Sequence, residues 1–318
     1  MSRVTIASSA ADMHRLRPAW LRLERGAATM FQSFAWNRLA AEVLGTERPH
    51  VIMAETSNGA AIVPTAIGDR YVTFLGEALF DYRDVLFDDE EALSLALHEL
   101  AGLQLPLWLT AIRAGDHPEL WRALPGRRFA AAPCTLRRHL DADTFARSHS
   151  LGRQIRRLQR LGCTVHRRNG ADSSLVRFLF ENKAQQMDGA ADNLFADRRR
   201  IEFMVEAARL PESRCEIFTV ERGTELISAL LTFIDGKVRR LYNIWYDRNW
   251  AHFSPGMAVC YESIRQSLEE GLDCDLMTGE QPHKLRLATS AVDLYQIEAP
   301  PSAIAQLARD LTRSRVAA

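Results

Sequence analysis

Residues 215–247 read CEIFTVERGTELISALLTFIDGKVRRLYNIWYD. Three runs rich in β-branched, aromatic and aliphatic residues, CEIFTVER, ELISALLTFID and VRRLYNIWYD, are broken by Gly223 and by Asp235-Gly236. Glycine and Asp-Gly supply the backbone conformations of hairpin turns, so the stretch predicts three consecutive antiparallel strands. A helix is expected after Ser254-Pro255-Gly256 and should run to Gly271, with Pro255 tolerated in its first turn. Then follow CDLM (274–277), a polar turn with a short helical segment, the strand VDLYQIE (292–298) and a terminal helix over 302–315.

The first half of the chain has the same order. VIMAE (51–55), AAIVPTAI (60–67) and YVTFLG (71–76) read as strands joined by hairpin turns. DDEEALSLALHELAG (88–102) opens with acids, keeps apolar residues at helical spacing and stops at Gly102, the pattern of a helix. LPLWLTAIR (105–113) reads as a buried strand, HPELWRAL (117–124) as a short helix and FAAAPCTL (129–136) as a last strand. Matching elements lie roughly 165 residues apart, far beyond a solenoid period and close to one domain length. The expectation is an α/β fold with a mixed sheet, a tandem duplication of a β-β-β-α-β-α-β domain over 1–140 and 141–318.

Composition bounds the partners. Lys+Arg and Asp+Glu are equal at 40 each, so the chain as a whole has no electrostatic reason to seek DNA or an acidic membrane surface. The five cysteines are scattered with no metal-ligand spacing, so neither a disulfide framework nor a metal site is expected. The N-terminus has no long apolar run, and no stretch reaches the roughly 18 apolar residues of a membrane span, so a cytoplasmic protein without membrane insertion is expected.

One local concentration of charge stands out. Between the halves, Arg153, Arg156, Arg157 and Arg160 surround a face of Leu151, Ile155, Leu158 and Leu161. Such a helix either packs one face and solvates the other or presents guanidinium groups to the phosphates of a ligand.

The order of elements, with FQSFAWNRLAAEVLG (31–45), DYRD (81–84), the SPG of 254–256 and DLMTGEQPHKLRLATS (275–290), resembles the cellulose-biosynthesis (CelD/BcsL) branch of the GNAT acyltransferases, distantly related to the Fem aminoacyl-transferases. The similarity runs from about Phe31 to Ile297. It implies two GNAT-like halves and an acyl-CoA co-substrate, acetyl-CoA or another, whose diphosphate meets the amides opening a helix. Gly256 and Ala258 match the glycine and small-residue positions of that loop, with Phe253 where the family has Gln or Arg. Ser254, Gly256, Met257 and Ala258 are therefore the expected cofactor-binding residues. The equivalent helix of the first half opens with Asp88, Asp89, Glu90 and Glu91, which would repel a diphosphate, so a single cofactor site in the second half is expected.

Transfer of an acyl group from a thioester to an amine needs a base, donors for the developing oxyanion and an acid for the departing thiolate. Asp275, Glu280 and His283 gather the candidate bases at one strand end, and Lys284, where the resemblance places a lysine, is a point charge for an anionic group. The same residues would equally make and cap an ordinary turn. His283 stands where the family has an aromatic residue. Asn243, on the strand before the SPG turn, and Tyr82 and Arg83 of DYRD are candidate acceptor contacts; Tyr261 is a thiolate acid if it is not core.

The resulting expectation is an acyl-CoA-dependent N-acyltransferase acting by direct transfer on a small-molecule amine or sugar-precursor acceptor, without a metal. Two competitors stand beside it. A Fem-like enzyme would take its acyl group from aminoacyl-tRNA through the basic segment, and a silent duplicated module would serve polysaccharide synthesis as an assembly partner.

Overall fold

The computed structural model describes residues 2–45, 48–76, 79–148, 151–170 and 172–316. In chain order the elements begin with β1 (Arg3–Ala7), α1 (Arg17–Leu23), α2 (Phe34–Val43), β2 (Arg48–Glu55), β3 (Ala60–Ile67), β4 (Val72–Phe74) and β5 (Leu86–Phe87). There follow α3 (Glu90–Gly102), β6 (Leu107–Arg113), α4 (Pro118–Arg122), β7 (Gly126–Thr135), α5 (Ala142–Ser148), α6 (Leu151–Arg160) and β8 (Thr164–Asn169). The remainder is α7 (Ser173–Gln186), α8 (Arg198–Ala207), β9 (Arg214–Arg222), β10 (Glu225–Asp235), β11 (Val238–Tyr246), α9 (Pro255–Glu269), β12 (Asp273–Asp275), α10 (Pro282–Leu287), β13 (Ser290–Ala299) and α11 (Pro301–Val316).

Two compact units divide the chain, one of residues 1–130 with 293–318 and the other of 131–292. The first unit orders its strands β1-β2-β3-β4-β6-β13, with β5 added to β3. β2, β3 and β4 are antiparallel neighbours, α3 crosses over, and β6 returns parallel to β4. One core lies between this sheet and the α3–α11 pair, where Leu93, Leu97, Leu100, Ile304 and Ala308 are buried together. Another forms around Trp20, Leu16 and Phe34.

The boundary differs from the 140/141 division expected from the repeat. The terminal helix packs on α3, where Ser94 Oγ donates to Ala308 O at 2.7 Å, and β13 pairs antiparallel with β6. The chain therefore ends where it began.

The second unit repeats the motif as β9, β10 and β11 antiparallel, then α9, then β12 parallel to β11. Gly223 and Gly236 make the two hairpin turns at φ +59° each, a backbone conformation costly for any residue with a Cβ. The architecture is thus the expected mixed α/β fold with the same crossover motif twice. β8 is a difference: Thr164–Asn169 is not among the strands expected from the sequence, yet it pairs antiparallel with β9. Its side chains are mostly exposed and no apolar alternation marks it; the strand is held by the ladder and by ion pairs from Arg167 to Glu216 and Arg168 to Glu221.

Candidate active site

β12 follows β11 for three residues only, with Val238, Arg239 and Arg240 opposite Asp273, Cys274 and Asp275. Beyond Asp275 the chain turns to the other side, where Leu276 N donates to Pro133 O and Gly279 N to Ala131 O, both at 2.9 Å. Met277 at φ +62° and Gly279 at φ +117° make this turn, and Asp275 Oδ1 accepts the Met277 N–H at 2.8 Å to fix it. β11 meanwhile bulges. Its register against β10 skips Tyr242, and a bulge increases local twist. From Leu241 onward, therefore, the edge of β11 that faced β12 has no paired strand among the described residues, and a wedge opens between the two.

The helix after β11 starts at that open end. Ser254 takes the left-handed conformation (φ 52°, ψ 50°) and gives α9 no side-chain cap. Ala258 N already bonds to Ser254 O, leaving the amides of Gly256 and Met257 as first-turn donors without a partner among the described residues. Gly256 is closely approached: a Cβ there would stand 3.2 Å from both Ile244 Cδ1 and Tyr246 Cδ1 of β11, so those side chains would have to give way. Arg157 of α6 places its guanidinium carbon 4.5 Å from the centre of the Phe253 ring.

The expected acid–base residues differ in their surroundings. Asp275 is 6 % exposed and fully engaged, with Arg240 Nη1 donating to Oδ2 at 2.6 Å and Met277 N to Oδ1. As a free base it is corrected; its carboxylate organises the turn. Glu280 and His283 lie exposed on that turn and on α10. Partial burial and the Lys284 charge hold the His283 imidazole below its ordinary pKa, so it is neutral at neutral pH. Lys284 Nζ donates to Thr278 O at 2.8 Å and to Met277 O at 3.3 Å, stapling the turn. Asn243 is half-buried on β11, opposite Leu231 and next to the bulge. Tyr261 is core: it stacks on Phe145 and donates to Ala146 O, and burial raises its pKa. Cys260 and Cys274 are pushed up to about 12 by burial, which makes neither a thiolate near pH 7.

In the first unit the corresponding positions are closed. β4 and β6 pair only at Val72 and Leu107, and the DYRD segment docks on β6 beyond that point, with Arg83 N donating to Ala111 O. Tyr82 is fully buried against Phe31 and under the Arg113 guanidinium, while Arg83 is 7 % exposed and bonds Thr110 Oγ1. The expected acceptor contacts of Tyr82 and Arg83 are therefore corrected to core packing, because the segment fills its own gap. α3 is capped by Asp89, whose carboxylate accepts from the amides of Glu91 and Ala92. Sequence reading missed Arg240, whose partner stands 35 positions away, and Arg157, which it left among four equivalent arginines.

Two cavities of the second unit, about 560 and 680 Å³, lie elsewhere, lined by residues within 167–216 and 177–202. The wedge is defined by strand pairing. Among the described residues no group of three or more metal-binding side chains occurs, and no helix is long and apolar enough to cross a membrane.

Residues 146–285 match the family model described as an acetyltransferase (GNAT) domain, a segment that contains the wedge, α9 and Lys284. Among curated sequences none matches the chain. The fold of the whole chain is similar to a tandem GNAT protein from the clavulanic acid biosynthesis pathway (12% identity, TM-score 0.55, 95% of this chain and 99% of that one). It is also similar to a conserved protein of unknown function from Bacteroides thetaiotaomicron (11% identity, TM-score 0.63, 93% and 100%). A third similar structure is the C-terminal domain of a putative lysylphosphatidylglycerol synthetase from Agrobacterium fabrum (11% identity, TM-score 0.57, 94% and 96%).

Proposed function

We propose that the protein is an acyl-CoA-dependent N-acyltransferase whose working site is the β11–β12 wedge. The observation that carries this reading is the coincidence of an open strand edge with an uncapped helix start, Gly256 and Met257, at the same end of β11. Amides and dipole at that helix start suit a diphosphate, and Arg157 beside Phe253 adds a guanidinium. The pantetheine arm of the co-substrate would then lie along the unpaired edge of β11, where backbone groups from Leu241 onward can pair with its amides.

The neutral imidazole of His283, or the carboxylate of Glu280 through water, takes the proton of the acceptor ammonium. Asn243 orients the acceptor. Lys284 holds the turn that carries both bases and lends it positive charge. Transfer is direct from thioester to amine: the C–N bond forms as the C–S bond breaks, and CoA leaves as a thiolate that takes its proton from solvent or from the base that accepted the ammonium proton; the buried Cys260 and Cys274 are protonated and offer no nucleophile. Acetyl-CoA is the favoured donor, and the acceptor is a small amine or amino-sugar precursor, as the resemblance to the cellulose-biosynthesis branch suggests. The first unit serves as scaffold without an acyl-CoA site, supported by its filled β4–β6 gap and the carboxylate cap of α3.

The test is CoA release from acetyl-CoA in the presence of a panel of amines, by wild type and by Glu280→Gln, His283→Ala and Lys284→Ala with folding checked. At least one of the three should lose most of its turnover. Full activity in all three would remove the site from this turn.

A further inference from the structure

The last acid of DYRD has chemistry that the acyl-transfer reading does not use. Asp84 is 5 % exposed, and its Oδ1 accepts the Val85 N–H at 2.8 Å and the Trp121 indole N–H at 2.9 Å. Among the described residues its Oδ2 has no hydrogen-bond partner. The nearest ionisable partner is His117 Nε2, 3.8 Å away and beyond hydrogen-bond reach. A buried carboxyl with one bare oxygen is costly whether ionised or protonated, and groups left in this state call for a partner.

Asp84 also lines a cavity of about 280 Å³ in the first unit, together with Gly26, Val85, Gly115, Asp116 and His117. No lysine or arginine lines it. Arg113, on β6, ion-pairs with Asp116 at 3.5 Å and acts on Asp84 only at longer range. Burial holds His117 below its ordinary pKa, which leaves its ring neutral and able to accept a hydrogen bond. It is also the more exposed member of the pair, at 33 % against 5 %, so an entering molecule meets the imidazole first. The cavity is thus rimmed by acceptors and lacks a cation. An anion would be repelled by Asp116, and an ammonium group, unlike a neutral polyol, would stabilise the ionised form of Asp84, which burial otherwise keeps protonated at neutral pH.

We propose that this cavity binds a small molecule carrying a primary ammonium group, with Asp84 as its counter-charge and His117 as the neighbouring acceptor. The volume equals roughly nine waters of bulk liquid, the size of an amino sugar or short diamine. The proposal uses no residue of the second unit and stands apart from the acyl-CoA reading.

The experiment is titration of the full chain, without acyl-CoA, with ethanolamine, putrescine and glucosamine, against their neutral counterparts ethylene glycol, 1,4-butanediol and glucose. Binding is followed by saturation-transfer NMR and calorimetry. At least one amine should bind while its neutral counterpart does not. Asp84→Asn keeps an acceptor oxygen for Val85 and Trp121, and should weaken that amine by more than about tenfold. Gly115→Leu, at an exposed glycine with open space around it, should block entry without touching the core. Equal binding of amine and neutral analogue, an unchanged affinity in Asp84→Asn, or no binding by any of the three amines would each overturn the proposal.

Discussion

Arg157 of α6 covers Phe253, two positions before the first residue of α9, with its guanidinium carbon 4.5 Å from the ring centre. The ring orients the guanidinium without consuming its N–H donors. Arg157→Ala should therefore weaken binding of CoA by roughly tenfold, as expected for one charge-assisted contact to a phosphate. Because Arg157 is exposed, the melting temperature of the free protein should stay within a degree or two. Calorimetric titration with CoA and a thermal melt check both halves of the statement.

Gly256 packs α9 on β11. A Cβ at 3.2 Å from two side chains demands a shift, and a β-branched residue demands more. Gly256→Val should lower stability by about 1–3 kcal/mol and displace the first-turn amides. Urea unfolding measures the first effect, and loss of CoA affinity beyond that of Arg157→Ala measures the second.

Asp275 and Glu280 stand five residues apart and should respond oppositely to loss of charge. Asp275→Asn leaves Arg240, itself 2 % exposed, with Asp235 as its other carboxylate partner. Removing one member of a buried pair is expected to cost about 3 kcal/mol, less what Asp235 recovers. Glu280→Gln should leave stability unchanged and reduce turnover. Paired melts and rates for the two variants separate the structural acid from the exposed one.

Asp84 gives stability a pH dependence of opposite sign to that of ordinary paired acids. Burial raises its folded pKa to about 8 from an ordinary 3.8, so between those values the folded chain holds a proton that the unfolded chain has lost. Stability from this group is present at low pH and declines as pH rises, by at most about 1.4 kcal/mol per pH unit. Asp116, His117 and Arg113 are the charged or titratable neighbours that modulate it. Asp84→Asn should flatten the profile between pH 5 and 8, read by chemical unfolding at each pH.

Sequence periodicity located both hairpin sets and both crossover helices because their apolar positions and turn glycines are local signals. What it could not supply was the register between distant segments. β8 carries five exposed polar side chains and acquires its strand from β9. The last helix joins the first unit through Ser94 and Ala308, 214 positions apart. At the site, the turn from Asp275 to Lys284 was legible as a cluster of chemical groups. The division of labour within it was not, since Arg240 claims Asp275 and the carbonyls of Met277 and Thr278 claim Lys284. DYRD was legible as a candidate contact segment, but which of its residues face solvent depends on β6, whose Arg113 guanidinium covers the buried Tyr82.

Hydrogen–deuterium exchange with and without acetyl-CoA tests the wedge most directly. The account predicts slower exchange in peptides covering 254–259, 241–246 and 276–284, with no change over 88–93 at the start of α3. Unaltered exchange at 254–259 under saturating acetyl-CoA, or protection at 88–93 instead, would contradict it.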